Sequence, residues 1–150
     1  MTTHVLPGTT RVTPAGTARR IGAVLAGLFT IFAVTTATDA ALHAAGVYPA
    51  PGVVMSQGLF LLATAYRVVY GVLGCYVSAR LAPTRPLAHA LALGVVGTLI
   101  SVAGAFAMWD AGPGWYSLAV IAMALPCAWL GGKLRLAQLA RRAPRAPGAA

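Results

Sequence analysis

Only thirteen of the 150 residues carry a formal charge, eleven basic and two acidic, and their spacing leaves long gaps. Arg20 is followed by 18 uncharged residues before Asp39. Pro86–Trp109 is an uncharged run of 24, and Ala111–Gly132 one of 22. Between Asp39 and Arg80 the single charge is Arg67. A helix needs about 20 apolar residues to cross roughly 30 Å of hydrocarbon. Backbone groups cannot stay unpaired in lipid, so runs of this length are expected to be helical. Four spans follow: about 21–45, 57–81, 86–109 and 115–132. Proline and glycine separate them, at Tyr48-Pro49-Ala50-Pro51-Gly52, at Pro83 to Pro86, and at Asp110-Ala111-Gly112-Pro113-Gly114. Pro86 suits the first turn of a helix, where no amide hydrogen is needed. Pro126, inside the fourth span, is expected to kink it.

Composition agrees. Charged residues are 9% of the chain and the set AVILMFWYC 59%, whereas a soluble domain is about 25% charged. An ordinary cytosolic enzyme, a disordered chain and a disulfide scaffold are excluded on this ground. The expected fold class is an all-α membrane protein, an up-down four-helix transmembrane bundle. Residues 1–19 form a flexible leader, 20–135 the transmembrane domain and 136–150 a basic tail.

Orientation is read from Lys and Arg. Arg11, Arg19 and Arg20 precede span one, Arg80 and Arg85 lie at the second loop, and Lys133, Arg135, Arg141, Arg142 and Arg145 follow span four. The first and third loops hold none. Both termini are therefore expected to be cytoplasmic, with Tyr48, Trp109, Trp115 and Tyr116 at the outer interface. The net charge of +9 is read as topology and attraction to anionic lipid at the cytoplasmic face, not as nucleic-acid binding. The stretch from Lys133 to Arg145 is expected to extend span four along the surface, with Pro144, Pro147 and Gly148 leaving a frayed end. The first twenty residues and the apolar run after them imitate a signal peptide, and Arg19-Arg20 a twin-arginine signal. The apolar run continues too far, so a retained first helix is expected.

Helices in lipid associate through small residues and polar contacts. Span three carries Ala90, Gly94, Gly97, Ser101, Gly104 and Met108 at alternating steps of four and three. Span two carries Ala63, Arg67, Gly71, Gly74 and Ser78, and span four Ser117, Ile121, Ala124, Ala128 and Gly131. Such steps favour a left-handed crossing of about +20°. Gly71, Gly74, Ser78, Gly94, Gly97, Ser101 and Gly104 are assigned to helix packing, a glycine-lined pore being the alternative.

Arg67 is the costliest residue, at roughly 2.5–3.5 kcal/mol on insertion scales. It stands ~20 Å from the inner end of its helix, and Asp39 ~28 Å from the inner end of span one, a height gap of order 9 Å. Side chains lean toward the N-terminus of their helix. The two spans run in opposite directions, so the charges lean toward each other and a pair, direct or through water, is expected. Thr36, Asp39 and His43 share a face, and Tyr66 and Tyr70 flank Arg67. The cluster Asp39, His43, Arg67, Tyr66 and Tyr70 fixes helix register, or else lines a water-filled path for a proton, an ion or a small solute.

Asp39 and His43 are too few for a metal site, and no metal or cofactor is expected. Cys75 and Cys127 both fall ~8–9 Å from the inner ends of their helices and are read as inert packing thiols, a copper or redox pair being the alternative. His89 is placed at the headgroup boundary near Arg85, where a pH-sensing role stays open. With carboxylates only at Asp39 and Asp110, no phosphate-cradling loop, and no serine placed by spacing against a histidine, an enzyme is not expected.

Two stretches, YRVVYGVLGCYVSARLAPTRPLAHALAL (66–93) and MWDAGPGWYSLAVIAMALPCAWLGGKLR (108–135), resemble a family of small uncharacterised bacterial inner-membrane proteins with four predicted transmembrane helices. The resemblance implies location and length, and no site residue comes with it. The expected function is a non-enzymatic structural or accessory subunit, in a homo-oligomer or beside a larger membrane partner. A small transporter or channel component is the alternative, and an intramembrane enzyme the third.

Overall fold

The structure, a computed structural model, describes residues 14–50 and 52–142. The described residues form four long helices and no strand: α1 (Pro14–Ala44), α2 (Gln57–Leu81), α3 (Pro86–Ala107) and α4 (Gly114–Arg142), with a 3-10 turn at Trp109–Ala111. The connections are L1 (45–56), L2 (82–85) and L3 (108–113). Even α3, with 22 residues, is about 33 Å long. All four helices are long and apolar enough to cross a membrane. The chain is an all-helical, multi-pass membrane protein.

The helix ends follow local chemistry. α1 closes in a Schellman motif: Val47 N–H bonds Leu42 O at 3.0 Å, Gly46 N–H bonds His43 O at 3.1 Å, and Gly46 adopts φ +69°. Glycine takes that left-handed conformation without a Cβ clash. The turn folds Tyr48 back, its N–H also on Leu42 O at 3.1 Å. Pro86 opens α3 as expected.

Two boundaries differ from the sequence reading, the start of α1 and the end of α3. α1 starts at Pro14, so 14–19 is helical and not a flexible leader; residues 1–13 lie outside the described part. α4 continues past Gly132 to Arg142, the expected extension of span four; Pro144, Pro147 and Gly148 lie outside the described part. α3 ends at Ala107, short of Trp109. Apolarity decides which residues suit lipid, whereas helical hydrogen bonding carries on into polar residues until a cap or turn stops it.

Polarity is inverted relative to a soluble bundle. The buried core is Cys75, Ala79, Ala90, Leu93 and Ala128, with Val24, Leu28, Ile31 and Leu91 packed against it. Phe29, Phe32, Leu99 and Phe106 are exposed. Small residues inside and large apolar residues outside is what a lipid solvent permits.

The helices alternate in direction, but chain order is not spatial order. α1 lies against α2, α2 against α4, and α4 against α3, while α1 and α4 share no sizeable interface. Gly27 of α1 meets Gly74 and Ser78 of α2, an antiparallel pair. Along α2 and α4 the matches run Gln57 with Trp115, Gly71 with Cys127 and Tyr76 with Gln138. These two helices are therefore parallel neighbours, and α2 touches all three others.

Small residues set the close approaches at the L2 end. A Cβ on Gly131 would stand 2.7 Å from Val72 O and Tyr76 N, backbone atoms of α2. One on Gly27 would stand 2.6 Å from Gly74 O, and one on Gly94 2.5 Å from the Ala128 Cβ. Ser78 is fully buried and donates to His89 O at 3.4 Å. A Cβ on Gly71 would be in ordinary contact with Cys127, at 3.4 Å. The α3 stripe behaves differently beyond Gly94. Cβ atoms on Gly97 and Gly104 would meet nothing within 4 Å, so neither is a packing glycine. The spacing is correct, but no helix lies close enough there to use it. Gly27 of α1, not singled out by sequence, takes that role.

Candidate functional site

Near the L1/L3 end, three tyrosine hydroxyls, the ring of a fourth tyrosine and one ion pair connect three helices. Arg67 Nη2 donates to Asp39 Oδ2 at 3.0 Å, a direct pair between α2 and α1, with both side chains about a third exposed. Tyr66 Oη donates to Asp39 Oδ1. A phenol has one proton, so in the 3.0 Å contact between Tyr48 and Tyr66 Tyr48 is the donor. The proton order is Tyr48 to Tyr66 to Asp39. The same logic applies to Tyr70. Thr38 Oγ1 donates to Val34 O at 2.8 Å, so Tyr70 donates to Thr38 across 3.0 Å.

The third helix enters through an aromatic face. The Arg67 guanidinium carbon lies 5.8 Å from the Tyr116 ring centroid, within cation–π range. Tyr116 leans on Phe60 at 5.1 Å, and Trp115 Nε1 donates to Gln57 Oε1 at 2.8 Å. These contacts depend on the parallel α2–α4 neighbourhood.

Asp39, Arg67 and Tyr66 thus come together, with Tyr70 beside them through the Tyr66 ring at 5.6 Å and through Thr38. His43 does not join them. It is exposed and its ring packs edge-on against Tyr48 at 5.3 Å. Asp39 has its two oxygens turned to α2, so a histidine one turn further along α1 is left outside. Thr36 is also exposed; its neighbour Thr38 faces Tyr70 instead. Tyr48 and Tyr116 also belong to the cluster, and Tyr48 is buried. Gly46 after the periodic run is the sequence signal for the turn that returns Tyr48. For Tyr116 there is no such signal, because it depends on which helix neighbours α2.

Below the cluster, toward the L2 end, is a cavity of about 290 Å³ lined by all four helices. Its wall includes Thr35, Arg67, Gly97, Ser101 and Met123, and also Cys75 and Cys127. The two cysteines are free and buried, and Cys127 Sγ donates to Val68 O at 3.5 Å. Phe32 and Ile100 line the cavity and are themselves exposed. Phe32 lies about 18 Å from the Ala44 end of α1 at 1.5 Å per residue, so the opening is on the side of the bundle.

A second polar network lies near the L2 end. Tyr76 donates to Gln138 Oε1 at 2.9 Å and accepts from Arg80 Nη1 at 3.3 Å, while Arg135 Nη1 reaches the same Gln138 oxygen at 2.6 Å. It contains two cations and no acid.

Among the described residues no group of three His, Cys, Asp or Glu is placed to hold a metal. Comparison of the chain with protein-family models, with curated proteins and with solved structures finds no match.

Proposed function

We propose that this chain is a non-enzymatic structural or accessory protein of a bacterial cytoplasmic membrane, with both termini on the cytoplasmic side. The observation that carries the reading is the occupancy of Asp39: one oxygen takes the Tyr66 proton and the other the Arg67 guanidinium. A carboxylate engaged on both oxygens by the neighbouring helix joins α1 to α2, and Tyr116 ties α4 to the same arginine. Intramembrane charges that pair in this way fix helix register. The arginine and lysine distribution supports the orientation, and the resemblance of two stretches to small bacterial inner-membrane proteins supports the location. Arg80 and Arg135, without an acidic partner near L2, suit the anionic lipid of a cytoplasmic leaflet.

The test is a double-mutant stability cycle in bicelles with Asp39→Asn, Arg67→Leu and the pair. Each single change is expected to cost about 1–2 kcal/mol, below the range for a fully buried pair because both groups are a third exposed. The double variant should recover at least half of the summed loss. Small, additive effects would instead mean two independent charges.

One observation favours a second reading, a small transporter or channel component: Arg67 also lines the cavity. Proton or solute flux in liposomes that disappears in Arg67→Leu would put that reading first.

A further inference from the structure

A cavity that opens sideways, inside a bundle whose core is otherwise closed by small residues, is a place where something fits. Its lips, Phe32 on α1 and Ile100 on α3, lie within the apolar stretches of their helices. A ligand entering between them comes from the bilayer, so it is lipid-soluble. At about 290 Å³ the space is at the lower end for small-molecule pockets, roughly 300 Å³. That suits a compact molecule and not a whole phospholipid.

The wall is graded along the bundle axis. Leu28, Leu93, Gly94 and Cys75 line the end nearer L2; Thr35, Arg67 and Ser101 line the other end. Gly27 lies beside both Gly74 and Leu93. Counting from that level, Thr35 and Ser101 are each eight residues up their helices and Arg67 seven, so the three share a height, about 11–12 Å up. Thr64, Thr98 and Thr30 bond the carbonyl four residues back in their own helices. Among the described residues Ser101 Oγ and Arg67 Nη1 make no hydrogen bond and are not closed off, whereas Thr35 Oγ1 and Arg67 Nε are buried without a partner and out of a ligand's reach. Unmade hydrogen bonds in a medium without water are costly. Arg67 Nη1 can only donate and the Ser101 hydroxyl can donate one proton, so the group that satisfies both is an acceptor. The Asp39–Arg67 pair is already neutral as a unit. An anionic ligand would leave a net negative charge in an apolar chamber, so the acceptor is uncharged.

We infer that the cavity binds one small, neutral, lipid-soluble carbonyl compound, its oxygen turned to the level of Arg67 and Ser101 and its apolar body toward Leu93 and Cys75. This stands apart from the register role of the ion pair: the cycle above can succeed while binding fails, and the reverse.

Met123 lines the cavity and is one of four methionines, so ¹³C-methyl-methionine labelling of the full chain in nanodiscs gives a local reporter. The probes are 1-indanone and indane, of one shape and differing by the carbonyl. Indanone should shift the Met123 methyl saturably, with Met55 and Met108 still, and indane should bind about tenfold more weakly, the worth of one good hydrogen bond. Gly97→Leu fills the chamber where a Cβ meets nothing, and should abolish the shift. Gly104→Leu, with the same free space but outside the chamber, should leave it intact. Ser101→Ala, which removes only the hydroxyl, should reduce the preference for indanone over indane. Absence of a saturable shift, equal binding of the two probes, or undiminished binding in Gly97→Leu would each overturn the assignment.

Discussion

The two halves of the bundle hold together in different ways. Toward L2 the helices meet backbone to backbone: Gly131 against Val72 and Tyr76, Gly27 against Gly74, Gly94 against Ala128. Toward L1 and L3 long polar and aromatic side chains bridge the helices through Asp39, Arg67, Tyr66, Tyr48 and Tyr116. The first half gains dispersion contacts that only small residues allow. The second gains hydrogen bonds that are strong in a dry medium and leaves room for a cavity. A bundle closed along its whole length by glycine contacts would have no chamber. One held only by polar bridges would lack the close backbone contacts that fix the other end.

Substitutions should separate the halves. The largest effect is expected at Gly131→Leu, where even the first added carbon meets two backbone atoms of α2. The helices must part, and overpacking of this kind costs about 3 kcal/mol or more. Unfolding by denaturing detergent in bicelles would show it, and a near-neutral result would mean that the two helices are not in backbone contact. The ion-pair cycle comes next in size. Tyr66→Phe should cost about 1 kcal/mol, since it removes the Asp39 bond and leaves Tyr48 without its acceptor while the ring stays packed. The smallest effect is of opposite sign. Gly97→Ala adds a methyl into open space on a helix and should stabilise by about 0.5–1 kcal/mol. A loss at Gly97 as large as at Gly131 would remove the distinction between the halves.

The span count and the breaks were legible because uncharged runs and prolines are local properties. The Asp39–Arg67 pair was legible too. Two isolated charges in an apolar chain have few alternatives, and antiparallel helices make their side chains lean together. His43 was misplaced because a shared helix face does not tell where a neighbouring helix ends its contact. Gly97 and Gly104 were misassigned for a related reason. A small-residue stripe permits close approach, but another helix must come near for it to matter.

The sequence by itself determined four apolar helices, the order of their connections and the two charges that need each other, since each is set by solvent transfer and chain periodicity. Only the tertiary structure decided that α4 lies beside α2, that Tyr116 therefore stacks on Arg67, that Tyr48 returns to Tyr66, and that the four helices leave a laterally open cavity. Those outcomes depend on how four helices share one set of faces, and lipid-facing and helix-facing residues are equally apolar. Hydropathy cannot tell them apart; packing geometry can.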